Sequence, residues 1–168
     1  MSIKVIKVIS RRDVLREAQR NKHVFSTWAV ISVNAYAGAF TDANVDGSEK
    51  SPFDVAEIPT GWRINLNFDD ISAEDGIAGF KAFDSQMATE IKNFVDTVYA
   101  EGAEKILVHC HAGLSRSPAI AICIADYLYA NNLMSTSDYR ISLQKLRARA
   151  PSPNPHVMAT LRRVLYPM

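Results

Sequence analysis

Cys110 and Arg116 are the residues of this sequence whose types and spacing most directly suggest chemistry. They stand six positions apart with Gly113 between them, after a short apolar run (residues 106–108) and before a long one (residues 118–129). This order predicts a buried strand, a tight loop and a helix. The first N–H groups of a helix lack partners and its dipole favours negative charge, so such a loop can bind an anion. We call residues 110–116 the phosphate loop.

The residue types at the two ends of the phosphate loop predict covalent attack on phosphorus. The positive field at a helix N-terminus favours the thiolate form of a cysteine, which is the nucleophilic form. Arg116 can bind two phosphate oxygens at once through its planar guanidinium. Ser117 can donate a hydrogen bond to the sulfur, so we expect a thiophosphate on Cys110 that is then hydrolysed. The backbone N–H groups expected to bind the phosphate are those of His111, Ala112, Gly113, Leu114, Ser115 and Arg116.

Two other interpretations of these residues are weaker. A lone cysteine after a buried strand is usually a core residue, but that interpretation leaves Gly113 and Arg116 unexplained. A zinc site made of His109, Cys110 and His111 is disfavoured because adjacent residues rarely converge on one metal. No second pair of cysteine or histidine residues stands at ligand spacing either. We therefore expect no metal ion and no cofactor.

The phosphate loop also carries a resemblance to a known family. His109-Cys110, Gly113 and Arg116-Ser117 match the His-Cys-x-x-Gly-x-x-Arg-Ser/Thr signature of the cysteine-dependent protein tyrosine phosphatase superfamily. The short chain and residues 112–117 most resemble its compact, dual-specificity-type branch, which includes bacterial members. The resemblance implies hydrolysis of phosphotyrosine in proteins, and it leaves phosphoserine and phosphothreonine open as further substrates. The chain departs from the larger classical enzymes in its length and in having no Trp-Pro-Asp acid loop.

Asp69 and Asp70 are the candidates for a general acid. They directly follow residues 63–68, whose alternating apolar side chains predict a strand. Ligands of open α/β sheets bind outside the carboxyl ends of the strands, so both aspartates are expected at the same sheet edge as Cys110. A carboxylic acid there can protonate the leaving oxygen of a phosphate ester. We favour Asp70, with Asp69 as the alternative and an exposed turn or helix-cap role as the third interpretation.

Other residues near the phosphate loop are expected to support it. His109 is expected to orient the loop by hydrogen bonding, whereas His111 either contacts substrate or is simply exposed. Asn154 precedes a proline and predicts the N-cap of the last helix. The resemblance places such a Pro-Asn segment beside the phosphate loop. Arg147 and Arg149 lie in the last turn of the preceding helix, where they either complement its dipole or bind a second phosphate.

Hydrophobic periodicity predicts the remaining elements. Further strands are expected over residues 28–33 and, at a sheet edge, over residues 3–9. Helices are expected over residues 11–20, 82–100, from 135 or 137 to 149, and from 154 to 166. Residues 34–61 are predicted to form a long loop that shapes the pocket rim. The expected fold class is α/β, with a central, mostly parallel sheet of four to five strands flanked by helices and the phosphate loop between a strand and a helix.

Length and composition indicate an ordinary soluble protein. The 168 residues, of which 48% are hydrophobic and 22% charged, predict a single domain. By the resemblance, this is a phosphatase domain over residues 1–168. A net charge of +1 gives no field that would attract nucleic acid or an acidic membrane. No apolar run approaches the ~20 residues that span a bilayer. We expect a cytoplasmic monomer whose partner is a phosphorylated protein substrate, with no nucleic acid and no membrane, and with Cys123 packed in a helix rather than in a disulfide.

Two other functions remain open. The first is a phosphate-binding module that has lost turnover, which the combination of Cys110, Arg116 and Ser117 with the two aspartates disfavours. The second is a phosphatase of phosphoinositides or of RNA 5′-phosphates. The phosphate loop contains no lysine, which disfavours the lipid, and the near-neutral charge disfavours the RNA.

Overall fold

The protein is built on a parallel sheet whose central strands end beside the phosphate loop. The computed structural model describes residues 1–35, 55–71 and 79–167. Within these ranges the sheet has four strands in the order β1-β4-β2-β3, and every neighbouring pair is parallel. The strands are β1 (Val5–Ser10), β2 (Ala29–Asn34), β3 (Trp62–Asn67) and β4 (Lys105–Cys110). The expected α/β class, the mostly parallel sheet and the edge position of the first strand are confirmed.

Among the described residues, five α-helices cover the two faces of this sheet. They are α1 (Arg11–Arg20), α2 (Ser85–Ala100), α3 (Arg116–Ala130), α4 (Thr136–Arg149) and α5 (Pro155–Leu165). One core cluster joins α2, α3, α4 and α5 to side chains such as Ile31 and Val108. A smaller cluster joins α1 to Val30 and Leu107 on the opposite face. Because side chains alternate along a strand, His109 lies on the α1 face and Cys110 on the α3 face.

Local side chains explain where the helices begin. Ser10 caps α1 by accepting from the Asp13 N–H at 3.1 Å, so β1 passes directly into a helix at the sheet edge that holds the phosphate loop. Asp84 caps α2 by accepting from the Met87 N–H at 2.8 Å. That helix therefore starts at Ser85, three residues later than the periodicity predicted, because an N-cap carboxylate defines the first turn more sharply than an apolar stripe does. Ser135, rather than Ser137, caps α4.

Part of the predicted rim loop over residues 34–61 lies outside the described residues. Its described end contains a 3₁₀ turn, Val55–Glu57, whose Val55 packs against Val14 and Ala18 of α1. The role proposed for this loop in shaping the pocket therefore stays a prediction.

The strand register places Ser10 opposite Cys110 and Ser32 opposite His109, so β1, β2 and β4 end at the same level.

Candidate active site

The Cys110 sulfur lies at the carboxyl end of β4 and makes two hydrogen bonds. Cys110 is buried, with 2% of its surface exposed. Its Sγ is 3.0 Å from Ser117 Oγ, and the Gly113 N–H donates to it at 3.2 Å. When the sulfur is a thiolate, both groups act as donors and stabilise the negative charge. The predicted nucleophile and its predicted hydroxyl neighbour therefore meet.

The carbonyl groups of four phosphate-loop residues face outward, and each accepts a hydrogen bond from a donor outside the loop. Four bonds achieve this: Arg11 N–H to the His111 carbonyl at 3.1 Å, Arg149 Nη2 to Ala112 at 3.4 Å, Arg149 Nε to Gly113 at 2.8 Å, and Asn154 N–H to Ser115 at 3.1 Å. The C=O and N–H groups of a trans peptide point in opposite directions, so outward carbonyls turn the next N–H groups inward. Inward N–H groups in a row form an anion site.

Gly113 is required by both its backbone and its surroundings. Its φ of +72° lies in the left-handed region that favours glycine. A Cβ at this position would lie 2.7 Å from Arg149 Nη2 and 3.1 Å from the Ile9 carbonyl carbon. The predicted need for glycine in this loop therefore has two independent physical reasons.

Arg116 is a buried arginine at the start of α3. Its side chain is held by a hydrogen bond from Nη1 to the Phe68 carbonyl at 2.9 Å, and 7% of the residue is exposed. This bond connects the phosphate loop to the segment that follows β3. A guanidinium in this place adds a permanent positive charge to the anion site.

The two adjacent aspartates face different parts of the molecule. Asp69 is 5% exposed, and it exchanges two bonds with the Lys81 backbone: its N–H donates to the Lys81 carbonyl at 2.7 Å, and its Oδ2 accepts from the Lys81 N–H at 2.8 Å. Asp70 is exposed, and its Oδ1 accepts from Ser115 Oγ and from Asn154 Nδ2, each at 2.8 Å. Asp70 is thus bonded to Ser115 of the phosphate loop, and Asp69 is bonded to the backbone of Lys81.

Asn154 joins three elements of the site. Its Nδ2 binds Asp70 and also the Ile71 carbonyl at 3.0 Å, while its Oδ1 accepts from the Val157 N–H at 3.1 Å and caps α5. Its own N–H donates to the Ser115 carbonyl. One buried side chain thus connects the segment of the general acid, the phosphate loop and α5. The sequence indicated the cap and the proximity, but not the bond to Asp70.

A comparison with protein families agrees with this arrangement. Residues 70–165 match the family model described as the dual specificity phosphatase, catalytic domain. The chain belongs to this family. The matched range begins at Asp70 and includes the whole phosphate loop, so the family supports a phosphatase, a hydrolase of phosphate esters. No curated protein sequence matches the chain.

Solved structures share the fold of this phosphatase at low sequence identity. DUSP15 matches with a TM-score of 0.54 and 18% identity, over 99% of this chain and 86% of that chain. Tk-PTP in its active form matches with a TM-score of 0.53 and 16% identity, over 98% of this chain and 93% of that chain. PTPMT1, solved in complex with PI(5)P, matches with a TM-score of 0.53 and 13% identity, over 96% of this chain and 90% of that chain. At these identities the likeness shows the fold alone.

The two histidines beside Cys110 differ in environment. His109 is fully buried and its Nε2 lies 2.8 Å from Ser32 Oγ. Burial, together with the charges of Arg11 and Arg63, lowers its pKa to about 3, so the ring is neutral at physiological pH. A neutral ring on the α1 face can orient the end of β4 but is not placed to act on Cys110. His111 is partly buried, while Ala112 and Leu114 are exposed at the rim of the phosphate loop.

Some residues of the phosphatase site were not anticipated. Arg149 was expected to complement a dipole or to bind a second phosphate, yet it binds the carbonyls of Ala112 and Gly113. Ser32 and Lys81 were not singled out, although a serine inside the apolar strand 28–33 is a usable signal for a buried polar partner. Among residues 1–35, 55–71 and 79–167, no group of three or more His, Cys, Asp or Glu side chains is arranged to hold a metal ion.

None of the helices that the structure describes is long and apolar enough to cross a membrane.

Proposed function

We propose that this phosphatase hydrolyses phosphate monoesters on proteins, phosphotyrosine first, through a cysteinyl-phosphate intermediate. The proposal rests on one observation. The same loop holds a sulfur that is close to two hydrogen-bond donors, and it also binds a carboxylate. Ser117 and Gly113 bind the Cys110 sulfur, and Ser115 holds Asp70 to the same loop. Nucleophile, anion site and acid thus lie together, as phosphoryl transfer requires.

In the first step the Cys110 thiolate attacks phosphorus while the bond from phosphorus to the ester oxygen breaks. The leaving oxygen takes a proton from the Asp70 carboxyl. Oδ1 of Asp70 already accepts two bonds, so Oδ2 is the oxygen that carries this proton. Arg116 and the loop N–H groups stabilise the charge on the phosphoryl oxygens in the transition state.

In the second step water attacks the phosphorus and the sulfur–phosphorus bond breaks. Asp70, now a carboxylate, takes a proton from the water, and phosphate leaves. The sulfur departs as a thiolate, which the Ser117 hydroxyl at 3.0 Å stabilises by donating to it. Atoms and charges balance without a metal ion or cofactor in either step.

The preference for a phosphoprotein rests on the loop's composition. The rim residues Ala112 and Leu114 are exposed and uncharged, and the loop contains no lysine that would bind the further phosphates of an inositide headgroup. The likeness to PTPMT1, which was solved with PI(5)P, shows a shared fold and makes the lipid the competitor to be tested. A cytoplasmic location and a monomeric state remain predictions from the sequence.

The test is hydrolysis of a small aryl phosphate with EDTA present, across pH 4 to 8. The wild type is then compared on a phosphotyrosine peptide, a phosphoserine or phosphothreonine peptide, a phosphoinositide and an RNA with a 5′-phosphate. We expect turnover with EDTA and the highest kcat/KM on the phosphotyrosine peptide. Vanadate binding without turnover would instead identify a phosphate-binding module, and a preference for the phosphoinositide or RNA would overturn the protein substrate.

A further inference from the structure

We propose that Arg149 is a positioning residue of this phosphatase, which acts on Cys110 and on the bound oxyanion through the peptide groups of the phosphate loop. The kinetic part of this proposal rests on the proposed function, whereas its binding and titration parts do not. Arg149 lies in the last turn of α4 and is partly buried. Nothing in its position, two residues from the exposed Arg147, distinguishes it in the sequence.

The contacts of Arg149 are specific to the outer side of the phosphate loop. Nε donates to the Gly113 carbonyl at 2.8 Å and Nη2 donates to the Ala112 carbonyl at 3.4 Å. The guanidinium also fills the space beside Gly113, where a Cβ would lie 2.7 Å from Nη2. Two successive peptide groups are therefore held by one planar cation, and the left-handed conformation of Gly113 permits this approach.

One of the two peptide groups that Arg149 holds also donates to the Cys110 sulfur. The peptide from Ala112 to Gly113 accepts from Arg149 on its carbonyl side and donates to the Cys110 sulfur at 3.2 Å on its N–H side. Hydrogen bonds in such a chain polarise one another, by about 10–30% per bond. A positive charge behind the peptide therefore strengthens the bond that its N–H gives to a thiolate. The next peptide carries the Leu114 N–H, which is expected to bind the phosphate.

The dipole of α4 does not account for this arrangement. Arg147 lies in the same last turn, carries the same charge and is exposed, so it complements the dipole equally well. No described contact joins Arg147 to the phosphate loop. Helix α4 is anchored in the core by Leu146, so Arg149 is not needed to dock the helix. Arg147 is therefore a matched control in charge, residue type and helical turn.

Other groups near Cys110 also influence its charge state. Arg116 belongs to the phosphate loop, Asp70 is bonded to it through Ser115, and His109 and His111 flank Cys110 in the chain. Arg11 binds the His111 carbonyl through its backbone N–H. Substitution of Arg149 leaves all of these residues in the protein, so a change in the titration of Cys110 would report the lost cation and its hydrogen bonds.

The experiment compares Arg149→Met, Arg149→Lys and Arg147→Met with the wild type. The three readouts are kcat/KM on an aryl phosphate, vanadate affinity by calorimetry, and the pH dependence of Cys110 alkylation by iodoacetamide, followed by mass spectrometry. For Arg149→Met we expect at least about tenfold losses in kcat/KM and vanadate affinity, and a midpoint of alkylation raised by about half a pH unit or more. Arg149→Lys keeps the positive charge on a single amine, so we expect smaller losses in kcat/KM and vanadate affinity. For Arg147→Met, both quantities should stay within about twofold of the wild-type values.

Two outcomes overturn the proposal. One is an Arg149→Met protein whose vanadate affinity and alkylation midpoint equal those of the wild type. The other is a shift shared equally by Arg149→Met and Arg147→Met, which would reflect total charge alone. If Arg149→Met does not fold, the comparison of Arg149→Lys with Arg147→Met decides in the same way. Failure of the proposed function is distinguishable, because vanadate binding and alkylation do not require turnover.

Discussion

Cys110 and Cys123 are both buried, yet the groups around their sulfurs differ. Cys110 lies in the loop just before helix α3, and Cys123 lies within that helix. The Cys110 sulfur lies 3.0 Å from Ser117 Oγ and accepts a hydrogen bond from the Gly113 N–H. Cys123 instead donates, over 3.8 Å, to the Met158 carbonyl. Burial raises the pKa of the Cys123 thiol to about 12, so it stays protonated at any physiological pH.

The difference shows that burial alone does not decide what a cysteine can do. Inside a helix every N–H is bonded to a carbonyl one turn earlier, so no backbone donor remains for the Cys123 sulfur. Before the first turn the N–H groups have no such partners, and in the phosphate loop the Gly113 N–H donates to the Cys110 sulfur. Reactivity therefore follows from the position relative to the helix start.

The largest expected effect comes from the same substitution at these two cysteines. Cys110→Ser should lower kcat/KM on an aryl phosphate by about 10⁴-fold or more, because it removes the nucleophile. Cys123→Ser should leave kcat/KM within about twofold and cost about 1 kcal/mol of unfolding free energy. Steady-state kinetics and chemical denaturation of both variants check this contrast. Substantial turnover by Cys110→Ser would contradict the covalent mechanism.

The adjacent aspartates extend the comparison from sulfur to carboxylate. Asp70→Asn should lower kcat by about 10²–10⁴-fold on a phosphate ester with a poor leaving group, and much less on one with a good leaving group, because it removes the proton donor. Asp69→Asn should weaken the bonds to Lys81 and lower stability, with a similar effect on both esters. Kinetics on two aryl phosphates of different leaving-group acidity check the assignment. The reverse pattern would make Asp69 the general acid.

A smaller effect is expected from Asn154, which donates a hydrogen bond to Asp70. Asn154→Ala should lower kcat by about tenfold on the poor leaving group while sparing the good one, because Asp70 loses one of its two donors. Asn131→Ala is the control, since its Nδ2 binds only the Tyr127 carbonyl at the end of α3 among the described contacts. Equal losses on both esters would mean that Asn154 acts on stability rather than on the acid.

The parts of this site that could be predicted are those that are close in sequence. Cys110, Gly113 and Arg116 occupy one loop, and strand, loop and helix follow from the apolar runs around them. The parallel sheet likewise follows from strands that alternate with helices. This explains why the phosphate loop and the fold class can be recognised from the sequence alone.

The contacts that could not be predicted join distant segments. Arg149 reaches the phosphate loop only because α4 packs against β1 and α3. The residues next to Arg149 in the sequence do not indicate that packing. Asp69 and Asp70 have the same side chain and adjacent positions, so only the path of the backbone after β3 determines which one turns toward Ser115. Sequence reasoning could rank the two by position but could not derive the bonds that separate them.

The smallest effect on turnover is expected from His109, whose role is tested by stability. Its folded pKa of about 3 lies below the ordinary value of 6.5, so between these values the unfolded chain binds a proton that the folded protein does not. Stability therefore rises with pH across this window, and acidification from pH 7 to pH 5 should cost about 2 kcal/mol through this residue. Melting curves of the wild type and His109→Gln at several pH values check this, because only the wild type carries this contribution. If both proteins lose stability equally between pH 7 and pH 5, His109 is not the neutral, buried partner of Ser32 that the structure shows.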